Sequence, residues 1–254
     1  MRKTIIYFIV ALLFNKAYAH EPIYGLGPET LPKYLNAIEF GVQFLDEQLQ
    51  YDLGYGYGIT QNWTVRMDVP AINSNGELGL GNMRLRTKYA LWRQLKPGVL
   101  KRLTAAAVVS LPTAKNNLAP DVTAITLGLA NGYESRRWYY FSDIGFTTIS
   151  TDKSFKPGNK LKYNLVGGIR PKKSAYLKPD LVLLVELNGE WTSRSELDGS
   201  QINNTGGNTL AIAPGFLFSY RNIMLKAGVQ FGLSNSNYVD KIQTNGLVSL
   251  EYHF

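Results

Sequence analysis

The sequence predicts an all-β fold: a transmembrane antiparallel β-barrel of about 12 strands, preceded by a signal peptide. Three observations predict it. Residues 1–19 have the layout of a secretory signal: Arg2 and Lys3 first, then an apolar run over residues 4–14, then Ala17-Tyr18-Ala19 as a small-x-small cleavage site before His20. The closing stretch, residues 242–254, alternates with a period of two. Gly246, Val248, Leu250 and Tyr252 share one face, Leu247, Ser249, Glu251 and His253 share the other, and Phe254 ends it. Finally, the connections between strands tend to alternate between tight turns and longer polar loops. Bacterial barrels have this asymmetry, with short periplasmic turns and longer outer loops, and a soluble sandwich gives no reason for it.

The composition agrees. The apolar run of the signal is too short to cross a bilayer as a helix, and no later run approaches the roughly 20 residues that would be needed. The chain has no cysteine, so an exported fold of this size must hold without disulfides, and a closed barrel does so by pairing every strand edge. It contains 24 Gly, 16 Tyr, 11 Phe and 4 Trp. Its mean hydropathy of −0.13 suits a wall that is apolar outside and polar inside. Of the net charge of +8, Arg2, Lys3 and Lys16 belong to the signal. The remaining cations are spread through strands without a recognition motif, so nucleic acid is excluded as a partner, and a basic lumen or a lipopolysaccharide-facing rim is expected instead.

Three domains follow: 1–19 signal peptide, 20–34 a periplasmic leader or plug segment, and 35–254 the barrel. The leader contains Pro22, Pro28 and Pro32 and shows no alternation, so it is not a central strand. A plain tether is its simplest reading, and folding into the lumen is the other. In the first strand Ile38, Phe40, Val42 and Phe44 oppose Glu39, Gly41 and Gln43, before a turn at residues 46–47. The second sets Leu49, Tyr51, Leu53, Tyr55 and Tyr57 against Gln50, Asp52, Gly54, Gly56 and Gly58, a glycine ladder that a lumen wall tolerates better than a packed sandwich core. After a turn at residues 60–62, Trp63, Val65, Met67 and Val69 face out, and residues 71–81 read as a loop. The fourth strand turns Met83, Leu85, Thr87, Tyr89 and Leu91 outward, and a fifth covers about residues 100–111. Residues 112–121 read as a loop, and a hairpin follows that turns near residues 134–135. Residues 150–158 and 171–179 connect the next strands. The longest loop, residues 192–207, is polar throughout. A tight turn at residues 221–222 and a last loop at residues 234–241 lead to the closing strand.

Parity also assigns the charges. Charge on the lipid face is costly at mid-bilayer, so the charged parity marks the lumen. The expected pore lining is Arg66, Arg84, Arg86, Lys88, Asp52, Asp68, Lys160, Lys162 and Glu186, with Arg102, Lys226, Glu39, Asp143, Glu190 and Glu251 on the same side. If the cluster Arg66, Arg84, Arg86 and Lys88 is unpaired, it should attract anions, and Asp52 and Asp68 are its nearest expected partners. No catalytic site, cofactor or metal is expected. With two histidines and no cysteine a His/Cys zinc site is excluded. His20, first after cleavage, could chelate copper through its amine and imidazole, but acceptance by the signal peptidase explains it as simply. His253 shares a strand face with Ser249, but a rise of about 3.3 Å per residue puts them about 13 Å apart, too far for a nucleophile–base pair.

With its Gly-Leu-Gly-Pro leader (residues 25–28), its YDLGYGYGIT strand (residues 51–60) and its closing EYHF (residues 251–254), the chain resembles the "MetA-pathway of phenol degradation" family of outer-membrane channels. The resemblance implies a non-enzymatic, porin-like channel in the outer membrane of a Gram-negative bacterium, passing a small-molecule solute, anionic or aromatic. Its partners would be outer-membrane lipid and lipopolysaccharide, and the barrel assembly machinery through the C-terminal strand. A closed barrel with a structural or surface role, and an outer-membrane lipid-modifying enzyme, are the alternatives.

Overall fold

The computed structural model describes residues 20–45, 48–74, 76–114, 118–172, 178–236 and 244–254. The signal peptide, the first turn at residues 46–47 and most of the loop expected at residues 234–241 lie outside them. In chain order the strands are β1 (Asn36–Leu45), β2 (Gln48–Gly58), β3 (Trp63–Ser74), β4 (Glu77–Leu80), β5 (Arg84–Lys96), β6 (Val99–Ser110), β7 (Ala124–Ser135) and β8 (Trp138–Ile149). They continue as β9 (Phe155–Lys156), β10 (Lys160–Ile169), β11 (Asp180–Thr192), β12 (Glu196–Leu197), β13 (Ser200–Gln201), β14 (Gly207–Tyr220), β15 (Ile223–Ser236) and β16 (Thr244–His253).

Twelve of these form the wall, each antiparallel to its neighbours. β1 closes it by pairing with β2 on one side and with β16 on the other, from Ala37 opposite His253 to Leu45 opposite Asn245. Among the described residues no strand edge of the wall is left open, as a structure spanning hydrocarbon requires. The four remaining strands sit in the long connections. Residues 71–81, expected as a loop, instead continue the β3 ladder and fold back as β4, with Ala71 opposite Leu80. The Gly and Asn content that reads as loop supplies the turn, where Gly76 has a φ of 85°. β9, β12 and β13 form a small sheet between the expected loops at residues 150–158 and 192–207. By the general asymmetry of barrels, the end carrying the short β2–β3, β5–β6, β7–β8 and β14–β15 turns is the periplasmic one.

Alternation sorts the side chains across this wall. Phe40, Leu53, Tyr89, Leu127, Leu165 and Leu250 are about half exposed on the outer face, while Glu39, Asp68 and Glu186 on the inner parity are buried. A bulge between Ala90 and Trp92 breaks the period once. It leaves Leu91 and Trp92 both exposed and brings Arg93 opposite the inward Arg102. No helix among the described residues is long and apolar enough to cross a membrane; the crossing is made by strands.

Candidate functional site in the lumen

The inner face is not an empty pore. Leader residues around Pro22–Leu31 lie inside the barrel, and His20, Ile23, Glu29, Thr30 and Leu31 are all buried. A segment with three prolines cannot join a ladder, so its amides must find other acceptors. The wall provides them. Glu186 accepts from the backbone N–H of Ile23 at 2.5 Å and of Tyr24 at 3.1 Å, Asp143 accepts from Leu26 at 3.2 Å, and Thr64 Oγ1 accepts from Leu31 at 2.7 Å. Thr104 donates its hydroxyl to the Pro28 carbonyl at 2.5 Å.

Each charged leader side chain from residue 20 to 31 meets a wall partner of opposite sign. Glu21 pairs with Lys88 and Glu29 with Arg102. His20 Nδ1 lies 3.4 Å from Glu134, and its Nε2 lies 3.0 Å from Ser219 Oγ and 3.7 Å from Asp180. Burial disfavours the charged imidazole of His20, but the Glu134 carboxylate outweighs this and raises its pKa above 6.5. Burial pushes Glu29 up to about 7 against the pull of Arg102, whereas for Glu21 the attraction of Lys88 and Lys226 overcomes burial and lowers the pKa. Apolar contacts complete the dock. Ile23 packs with Tyr139, Phe141, Val166, Val182, Leu184 and Leu217, and Leu31 clusters with Leu35 and Ala37 near the periplasmic end. Val182 and Leu184 are apolar residues on the inner parity of β11, and both belong to the buried cluster that contains the leader's Ile23.

The expected pore-lining residues fall into three groups. Arg66, Arg84, Arg86, Lys88, Asp52 and Asp68 form one patch on β2, β3 and β5. Register places Arg66 directly opposite Arg86, and Asp68 opposite Arg84. Like charges so placed need acids between them. Asp68 takes Arg66 and Arg86, each at 2.7 Å, and Asp52 takes Arg84 at 2.6 Å. Arg66 also reaches Glu39 and Glu251, and Lys226 reaches Glu39 at 3.0 Å. The cluster is therefore paired, with Glu39, Glu251 and the leader's Glu21 supplying acids beyond the two expected. Gly54 gives Arg66 its space: a Cβ there would come within 2.3 Å of Arg66 Nη2. The second group, Lys160 and Lys162, shares Glu190 at 2.9 and 3.2 Å near the outer mouth. Glu186 stands apart from both and is occupied by the leader amides.

Between leader and wall remains a cavity of ≈300 Å³ toward the outer mouth. It is lined by Arg84, Arg86, Lys226, Asp52, Asp68 and the leader at Tyr24–Gly25. Arg84 Nε, a buried atom, has no hydrogen-bond partner. A pocket of ≈40 Å³ lies deeper and shares Glu21, Arg66 and Arg86 with it. His253 contacts Glu251 and is buried at the periplasmic end, and no group of three or more His, Cys, Asp or Glu among the described residues could hold a metal.

The leader's docking residues were the part that sequence reasoning missed. Parity found the wall partners Arg102, Asp143 and Glu186, but a non-repeating segment has no parity. The available signal was the run of inward apolar residues and glycines on β11, β14 and β15.

A family model described as "Putative MetA-pathway of phenol degradation" matches residues 19–250. Comparison with curated proteins returns no match. Among solved structures, the COG4313 outer membrane channel from Pseudomonas putida F1 is similar with a TM-score of 0.68 at 12% identity, over 92% of this chain and 100% of that one. The NanC porin is similar with a TM-score of 0.55 at 8% identity, over 85% of this chain and 98% of the other. At these identities the likeness is one of fold.

Proposed function

This chain belongs to the family of the MetA pathway of phenol degradation and is a bacterial outer-membrane barrel, and on that premise we propose that it is a passive channel for a small aromatic or anionic solute, closed down by its own leader. The observation that carries the reading is a closed wall whose lumen is lined by charge and holds a separate chain segment. A barrel serving as a mere support has no need for a charged inner surface, since apolar side chains would fill it at lower desolvation cost. The aromatic class comes from the family's description. The anionic class comes from the ≈300 Å³ cavity, where Arg84 keeps an unused buried donor.

Pairing of the arginine patch makes the anion preference modest, because most of the cluster's field is cancelled locally. Planar-bilayer recording tests the reading. The full mature chain should pass a small current, and a chain lacking residues 20–32 a current several-fold larger, reduced by benzoate added to the bath. A truncated barrel that folds and does not conduct would favour a closed structural barrel, a reading supported by the close apolar packing of Ile23 against the wall.

A further inference from the structure

We propose that the periplasmic end of this barrel carries a cationic collar that binds the anionic phospholipid headgroups of the leaflet around it. The sequence alone predicts that the basic excess lies in the lumen or on a lipopolysaccharide-facing rim. Inside, the cations are largely paired with acids. The exposed charges are distributed differently. Arg136, Arg137, Lys172, Lys178 and Arg221, all in or beside periplasmic turns, are exposed, as are Lys96 and Lys101 at the facing ends of β5 and β6 and Lys33 just before β1. The acids at this end are withdrawn. Glu134 and Asp180 are both bound to Arg170, and Glu29 and Glu251 are buried inside. The exposed carboxylate side chains among the described residues, Glu77, Asp121 and Asp198, all lie at the long-loop end, where Lys153 and Arg194 balance them. One rim is thus mixed and the other cationic.

Three features point to lipid and not to a soluble anionic partner. The cations are spread over the β5–β6, β7–β8, β10–β11 and β14–β15 connections, hence around the circumference, where bilayer meets the wall on every side. They border lipid-facing aromatics, Trp92, Trp138, Tyr140, Tyr220 and Tyr252, of the kind that settle at headgroup level. Finally, Lys33 lies over the ring of Tyr34 (4.5 Å), Arg221 over Tyr220 (5.2 Å) and Lys101 over Tyr133 (5.7 Å). Apolar stems and rings are shared there while the charge reaches the interface, which is the geometry of snorkelling. Clustered basic residues beside a membrane attract anionic lipid, and the attraction falls off within a Debye length.

The experiment uses the full mature chain refolded in phosphatidylcholine vesicles with and without phosphatidylglycerol. Lipids retained through gentle extraction are counted by native mass spectrometry. Phosphatidylglycerol should be retained above its share of the bilayer, on the order of threefold. The variant R136Q/R137Q/K172Q/K178Q should bring that ratio close to one, and K153Q/R194Q at the other end should leave it unchanged. Folding of each variant is checked by its shift on unheated gels. Should the four-fold variant not fold, raising the salt on the wild type should remove the excess. Equal retention of the two lipids by the wild type overturns the proposal, as does an equal loss in both variants. So does displacement of the excess by soluble polyglutamate, which would make the collar a site for an acidic macromolecule.

Discussion

The backbone amide of Ile23 donates to the carboxylate of Glu186 at 2.5 Å, and Glu186 is fully buried. The two residues are far apart in sequence, yet this bond and the one from Tyr24 are the shorter of the bonds Glu186 accepts, with Asn188 Nδ2 adding a third at 3.4 Å. Replacing Glu186 with Ala should orphan both amides, at a cost of about 1.5–3 kcal/mol for each bond to a charged group. The leader should then undock more often. Limited proteolysis of the folded barrel should cut within residues 20–34 at least about tenfold faster in the variant. Glu186→Gln, which keeps an acceptor, should be intermediate. An unchanged cleavage rate in the alanine variant would mean that the leader is held without this carboxylate.

Gly228 makes a second demand on the same contact. A Cβ at this position would lie 2.7 Å from Ile23 Cδ1. Gly228→Ala should therefore push Ile23 out of its seat and raise the conductance of the full chain. Combining it with Ile23→Ala, which removes the opposing carbons, should restore much of the wild-type value. Such non-additivity is expected of residues in contact, and simple addition of the two effects would show that no steric coupling exists.

How much of this was legible follows from periodicity. The wall was readable because strand parity must separate lipid from lumen at almost every residue, so Arg66, Asp68, Lys226 and Glu186 could be assigned inward one at a time. The β3–β4 hairpin was not readable, since Asn73, Ser74 and Gly76 carry turn chemistry whatever lies beside them. Pairing was only half readable. Asp52 and Asp68 were expected beside the arginines, but Glu251 reaches Arg66 across the β16–β1 closure and Glu21 reaches Lys88 from the leader, neither of which sequence distance suggests. The leader's seat was hidden for a further reason. Gly215 and Gly228 carry no signal of their own in the sequence, yet they make the space that Ile23 Cδ1 fills: a Cβ on Gly215 would meet it at 2.3 Å.

Two leader groups make docking pH-dependent in the same direction. His20 has a raised pKa, so its contribution is complete below its ordinary 6.5 and is lost as the pH rises through the docked value. Glu29 is pushed up to about 7, so docking favours its neutral form. The cost of holding it charged is absent below its ordinary 4.5 and complete above about 7. Glu21 acts oppositely, and its contribution fades only as the pH falls below 4.5 through its lowered value. Conductance of the full chain should therefore rise from about pH 4.5 to about pH 7 as the Glu29 cost sets in, and further above pH 6.5 as the His20 contribution is lost. The His20→Gln/Glu29→Gln variant should flatten the profile. A current that falls over this interval in the wild type would contradict the sign.

Topology is tested by labelling. A tag inserted between Asp198 and Gly199, at the tip of the β12–β13 hairpin, should bind antibody on intact cells. A tag at Arg221–Asn222 should bind only after the outer membrane is opened. Labelling of the second site on intact cells would invert the orientation and move the cationic collar to the other face.

The last prediction concerns Arg84 and Arg86. Both are ion-paired, with Asp52 and Asp68, so they neutralise acids more than they attract solutes. Replacing both with Gln removes the cationic partner of Asp52, which keeps only the side-chain amides of Gln43 and Gln50. Asp68 keeps Arg66 at 2.7 Å, but Arg66 is already shared with Glu39 and Glu251. The cavity then changes from near balance to a net negative wall. The reversal potential under a salt gradient should move toward cations, and 1 M salt should shrink the shift, because screening at that strength acts within about 3 Å. Heat-modifiable mobility should be kept, since both side chains border water and their loss leaves no buried cation. A reversal potential identical to wild type would place the current-limiting charges elsewhere, with the Glu21–Lys88 pair on the leader as the next site to alter.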